Sequence, residues 1–371
     1  MSDPMVSSRP KARWPRRRRM MAWSIAMILI GAMVLPLTGY VYVAIDNAFA
    51  QNAFAQQGAK ESPSAAEQQT NPRANYWRAV RDGYDGYTAA SGPYTTDVLV
   101  QNGGQNWRQL RDGRVYSYNA WVLALVVAAI IVFAIVRGQV KLDHSRSGRT
   151  VERWNTGERV LHWYTAILFI ILAITGLSML FGRAVLIPVL GYPGFAAWAS
   201  ASIAMHNYLG PFFIVGVVIE IVVWIRDALP EATDGEWLRQ AGGFFQKGSH
   251  PSAGRINAGE KYVTFWLGLV VCGIVVSVTG IAMDFPAFNG GRETMQTANL
   301  VHSVFAMTWL AIMLGHTYLG AWGVEGAFEG MWRGRSSVEW AKQHHDVWYE
   351  REGRKTEEAG DKSSRAPARS A

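Results

Sequence analysis

The chain has 371 residues, half of them hydrophobic, a formal charge of +8 and a single cysteine, Cys272. One cysteine excludes an internal disulfide, a CxxCH haem-attachment motif and a cysteine-ligated iron–sulfur cluster within this chain, and inside an apolar run it reads as a packing residue. Mean hydropathy is only +0.03, so long polar parts dilute the apolar runs; Lys and Arg sit at the ends of those runs, which marks membrane topology and no nucleic-acid partner.

Residues 1–55 read as a signal peptide or first transmembrane anchor. Met1–Arg19 is basic, Met20–Ile45 is apolar without charge, and A-x-A sites follow at Ala48–Ala50 and Ala53–Ala55. Residues 56–118 read as a periplasmic linker and small exported segment. Gln56–Thr70 is a flexible linker rich in Gln, Ser, Ala and Pro. Beyond it a short helix is predicted over Asn75–Arg81, a strand over Asp97–Gln101, and turns at Asp82-Gly83, Gly103-Gly104 and Asp112-Gly113.

An extra transmembrane helix is predicted over 119–137, followed by the basic loop Arg137–Arg159 with its six Lys and Arg. Four further spans are predicted at Val160–Phe181, His206–Ile225, Tyr262–Met283 and Asn299–Trp322. Between them Gly182–Met205 is a loop with apolar pieces, Arg226–Lys261 is basic, and Asp284–Ala298 is poor in basic residues. Residues 350–371 read as a disordered tail. The basic stretches all fall on one side only if the chain crosses six times, or five after signal removal. The positive-inside rule then puts the N- and C-terminal basic ends in the cytoplasm of a multi-pass membrane protein in contact with lipid; the family resemblance given below implies that this membrane is the bacterial inner one. Sixteen Trp and fourteen Tyr suit its two interfaces.

This topology assigns four histidines a depth. His302 and His316 lie fourteen residues apart on one span, on one helix face and about 21 Å apart along the axis. His162 begins its span at the cytoplasmic side and His206 begins the next at the outer side. One pair forms per leaflet: His162 with His316, and His206 with His302. Each bridges two helices, as bis-histidine ligation of two b-type haems requires, and neutral imidazole is a common axial ligand. The span Tyr262–Met283 has no histidine and completes a four-helix bundle. Gly176 stands fourteen residues after His162 and leaves room at the outer level; Thr175-Gly176 recurs as Thr279-Gly280. Glu220, fourteen residues after His206, either pairs with a nearby basic group or serves proton uptake. His144, His250, His344 and His345 lie in hydrophilic segments, and His344-His345 reads as an interface element rather than a metal site.

From Val151 to Tyr349 the chain resembles the gamma subunit of membrane-bound respiratory formate dehydrogenase, a di-haem cytochrome b. The resemblance is carried by ERVLHWYTAILFIILAITGL, HNYLG, INAGEK, LVHSVFAMTWLAIMLGH and WAKQHHDVWYE. The extra span and the GQNWRQLRDGRV region resemble the longer bacterial branch. The implied fold is an all-α integral membrane protein: a four-helix di-haem cytochrome b core over 151–349, with one or two extra N-terminal transmembrane helices and a small exported segment. The resemblance implies His162 and His316 on the inner haem and His206 and His302 on the outer. It also implies a quinone, menaquinone or ubiquinone, near Asn257 and Gly259 of INAGEK, with His316 beside it. Its implied partners are an iron–sulfur beta subunit and a molybdenum or tungsten alpha subunit, so this chain holds no formate-oxidising residues. The bundle alone also fits the cytochrome b of nickel–iron hydrogenases or of thiosulfate reductase. A transporter or non-redox anchor is the reading from another class.

Overall fold

The structure is a computed structural model that describes residues 102–246, 248–285 and 292–357. The signal or anchor segment, the linker, the helix and strand expected at 75–101, and residues 358–371 of the expected tail lie outside the described residues; the first part of that tail, 350–357, is helical and not disordered.

Among the described residues five helices are long and apolar enough to cross a membrane, matching the spans predicted after Met20–Ile45. Helix α1 (Asn102–Gln109) runs through a π-helical stretch, Leu110–Val115, into α2 (Tyr116–Arg137). The turns expected at Gly103-Gly104 and Asp112-Gly113 are therefore helical. Val115 is buried against Leu300 and Val304, with Leu110 and Trp107 packed on that cluster, and tertiary packing outweighs the cost of glycine in a helix, of order 1 kcal/mol. The helix stops at Gly138, where φ turns to 65°.

Helix α3 (Thr156–Val185) starts at a capping box: the Asn155 side chain accepts from the Glu158 N–H and the Glu158 carboxylate accepts from the Asn155 N–H. Helix α4 (Ile187–Trp224) contains a break at Gly191, φ 66°. The loop expected over Gly182–Met205 is instead helical on both sides of that break. Its FAAWASASIA run (195–204) is rich in alanine, the strongest helix former. Short α5 (Asp234–Arg239) follows. The next span is π-helical over Glu260–Cys272 and α-helical in α6 (Gly273–Asp284). It too begins at a reciprocal Asn–Glu cap, Asn257 with Glu260, at 3.0 and 2.8 Å. Helix α7 (Arg292–Tyr318) is the last span.

Helix α3 packs along α4, α6 along α7, and the Glu260–Cys272 stretch along α7 as well; α2 leans on α7 from outside this four-helix bundle. Val122 and Val126 of α2 bury against Met307 and Ala311. Beyond α7 come α8 (Ala327–Arg333), β2 (Arg335–Ser337), α9 (Val338–His344) and α10 (Asp346–Trp348). Strand β1 (Thr150–Glu152) pairs antiparallel with β2, Val151 opposite Ser336. These pieces and the 226–259 loop form a cap over one end of the bundle. Its core is Val151, Val338, Trp340, Ala341, Trp348 and Tyr349.

Candidate cofactor site

The bundle brings its four histidines together in two facing pairs. His162 of α3 and His316 of α7 have ring centroids 6.3 Å apart at the capped end. His206 of α4 and His302 of α7 have centroids 6.2 Å apart at the opposite end. Two metal–nitrogen bonds of about 2 Å each, plus about 1 Å from each nitrogen to its ring centre, would separate two rings by about 6 Å. Both pairs therefore have the spacing of two imidazoles on opposite sides of one metal.

The surroundings agree with a flat apolar guest. The His206–His302 pair lies in the lining of a cavity of ≈350 Å³, within the range of cofactor clefts. Gly176, Gly210 and Gly280 contribute to its walls, and Arg111, Asn207, Asp284 and Asn299 are among its polar members. A Cβ on Gly176 would stand 3.4 Å from His206 Cε1, and one on Gly280 3.4 Å from His302 Cε1. The Nδ1 atoms of both rings are held: His206 by Thr175 Oγ1 at 2.8 Å, His302 by Thr279 Oγ1 at 3.1 Å and the Val276 carbonyl at 3.0 Å. That leaves Nε2 as the free donor of each ring. A metal-binding histidine commonly uses one nitrogen this way and anchors the other.

Between the pairs lies an aromatic layer that sequence reasoning missed. Trp309 stands seven residues from His302 and from His316; Phe169 and Phe213 stand seven residues after His162 and His206. Seven residues are about two turns, or about 10 Å, so all three meet at mid-depth. Trp309 is 5.3 Å from each phenyl ring, centroid to centroid. Gly273 admits the indole, since a Cβ there would lie 3.4 Å from Trp309 Cη2. Buried Cys272 belongs to the same core cluster. The signal was available: aromatic residues at the midpoint of each fourteen-residue interval.

Glu220 is buried on α4; no ion pair to it forms among the described residues. The basic partner weighed from the sequence is not found there.

At the capped end Asn257 is engaged as a helix cap, its Oδ1 accepting from the Glu260 N–H. Gly259 lies under Trp237: an added Cβ would come within 2.7 Å of the indole. The same Asn-x-Gly-Glu spelling caps α3 at Asn155–Glu158. Lys261, fully buried, donates to Glu231 at 2.7 Å and Asp234 at 3.0 Å, tying the 226–261 loop to the start of its span.

His345 is buried within the chain itself. Its ring bonds the Gly254 carbonyl at 2.8 Å, and Asp346 accepts from Ser252 Oγ and the Ala253 N–H. The tail motif is thus an internal clamp on the 250–257 loop. Arg153, also buried, lies over Trp348, Trp154 and Trp340 at 4.7, 4.8 and 5.4 Å and donates to the Arg255 carbonyl. Burial pulls Arg153 down to about 10. It also keeps His345 well below its usual range, reinforced by Arg153, and lowers His344 to about 4, reinforced by His250. No group of three or more metal-type side chains forms among the described residues.

Among the described residues, five apolar spans and two facing histidine pairs define an all-α, multi-pass integral membrane cytochrome b that binds b-type haem. The family model described as "Prokaryotic cytochrome b561" matches residues 153–334. The chain is 29% identical over 212 residues to the formate dehydrogenase cytochrome b556(fdo) subunit of Escherichia coli (strain K12), covering 56% of this chain and 96% of the relative. It is 29% identical over 218 residues to the formate dehydrogenase cytochrome b556 subunit of Haemophilus influenzae, covering 57% and 87%. The nitrate-inducible cytochrome b556(Fdn) subunit of Escherichia coli (strain K12) is 27% identical over 201 residues, covering 52% and 87%. The chain is thus similar, over its membrane part, to cytochrome b subunits of formate dehydrogenase.

Proposed function

We propose that this chain anchors a formate dehydrogenase in the bacterial inner membrane and carries its electrons to quinone on the cytoplasmic side. The observation that carries the reading is the pair of facing histidine sets, at 6.3 and 6.2 Å and at opposite ends of one bundle. The capped end is cytoplasmic, because the loops gathered there are the basic ones. His162 and His316 then hold an inner haem, and His206 and His302 an outer one. When bound, the two haems supply one-electron relays between the partner subunits and quinone.

The chain's own residues do the rest. Thr175 and Thr279 orient the outer imidazoles, and the glycines beside them keep the rings clear of side chains. Trp309, Phe169 and Phe213 exclude water from the middle of the bundle. Arg111, ion-paired with Asp112 at 2.7 Å, lines the outer cavity. Quinone is assigned to the capped end beside Asn257, Gly259 and His316. Support comes from the start of a span, where a side-chain amide and free N–H groups are offered to a carbonyl. Formate is oxidised elsewhere, by a molybdenum or tungsten alpha subunit, with an iron–sulfur beta subunit docking at the outer end.

The test is the reduced-minus-oxidised spectrum of the purified membrane complex with a haem-to-chain ratio. Two b-type haems per chain are expected, with split b-type absorption; a complex without b-type absorption would overturn the reading.

A further inference from the structure

The outer pair is held by a repeated device that the inner pair lacks. The Thr175 hydroxyl donates to the Ile171 carbonyl at 2.9 Å and the Thr279 hydroxyl to the Val275 carbonyl at 2.6 Å. Each hydroxyl proton is therefore committed within its own helix. Each Oγ1 has lone pairs left, so it accepts from the imidazole Nδ1–H in front of it, at 2.8 Å for His206 and 3.1 Å for His302. For His302 the Val276 carbonyl, three residues before its threonine, is a second acceptor at 3.0 Å. The glycine after each threonine closes on the ring's Cε1 edge. One dipeptide, Thr-Gly, thus appears on α3 for the ligand on α4, and on α6 for the ligand on α7.

The inner rings are held differently. His162 Nδ1 is buried with no partner, and neither nitrogen of His316 bonds a described residue. His162 is fixed instead by Trp163, whose ring lies edge-on at 5.3 Å and is itself seated on Trp332 at 5.7 Å.

We propose that Thr175 and Thr279 are positioning residues that set the outer haem at a lower reduction potential than the inner one. The proposal rests on the ligand assignment above. An imidazole whose Nδ1–H is engaged in a hydrogen bond becomes a more basic ligand through Nε2. A more basic axial ligand favours ferric over ferrous iron and lowers the potential. Outer ligands with engaged Nδ1–H groups and inner ligands without them therefore slope the bundle inward. The gradient that draws electrons toward the cytoplasmic side is written into two hydroxyls.

The experiment is an optical redox titration of the purified complex with Thr175→Val, Thr279→Val and the double variant, beside Thr→Ser at both positions. His302→Ala first identifies the outer haem as the component that disappears; if both haems survive that change, the ligand assignment fails, independently of the threonines. With the outer component identified, each valine variant should raise its potential and leave the inner one in place. For the double variant the outer reduction equilibrium should shift about tenfold, about 59 mV for one electron. The serine variants should titrate as the unaltered complex. Unshifted outer potentials with both haems retained would overturn the proposal, as would an equal shift of both haems. Loss of the outer haem from the valine variants, with retention in serine, would replace tuning by anchoring and also overturn it.

Discussion

The two ends of the bundle hold matching histidine pairs by opposite means. At the outer end both Nδ1 atoms are hydrogen-bonded from neighbouring helices, and the rings border an apolar cavity of ≈350 Å³. At the inner end the rings lie beneath a folded cap, fixed by the edges of Trp163 and its neighbours, with His162 Nδ1 unpartnered. The ring spacing is nearly the same, 6.2 against 6.3 Å. Spacing is thus set by the four-helix frame, while the electronic character of each pair is set by what stands behind the rings.

The sharpest way to break this comparison is to remove one ligand. His302→Ala should eliminate the outer haem, retain the inner one and stop quinone reduction by formate; haem quantification and the reduced spectrum check it, and unchanged haem content would refute the assignment. Next in size, Trp309→Ala removes the indole shared by both levels. Truncation of a buried Trp costs about 3–5 kcal/mol, so a large fall in thermal stability is expected with the potentials of both haems disturbed together. A change confined to one haem would show that the layer belongs to one end.

Asn257 tests the inner end alone. Asn257→Ala removes a helix cap worth about 1 kcal/mol, and should lower stability slightly, keep both haems and weaken quinone-analogue binding. Asn257→Ser restores a capping oxygen without the amide. If inhibitor affinity recovers with serine, the residue acts as a cap; if it stays weak, the amide itself contacts quinone.

The smallest effect is one of pH. His345 and His344 are neutral in the folded cap, His344 being lowered to about 4, and both titrate near 6.5 when the cap opens. The open form binds more protons on the acid side, so cap stability is full above about 6.5 and declines as pH falls toward 4. Hydrogen exchange of 338–349 at pH 7.5 and 5 should show faster opening at the lower value, while exchange around His302 stays unchanged.

Much of the frame was legible because it rests on local arithmetic. Span length follows from apolar runs, and depth follows from a 1.5 Å rise per residue. The boundaries were less legible. Asp112-Gly113 and Gly182–Met205 read as turn and loop because glycine and proline dominate a local reading, yet packing against α7 carries the helix through the first. Only the break at Gly191 remains of the second. Asn257 illustrates the limit at the site. Its Asn-x-Gly-Glu spelling matches 155–158, where the same pattern caps α3, so sequence similarity alone does not separate a cap from a ligand contact.

By itself the sequence determined the spans, the charge asymmetry and four histidines at two depths, since each depends on composition and helical rise within one segment. Only the tertiary structure decided that Thr175 and Thr279 stand behind the outer rings, that Trp309 fills the level between the pairs, and that the His344-His345 motif clamps the cap internally. These are contacts between helices. They depend on which faces meet and at what rotation, and neither quantity is contained in the periodicity of a single span.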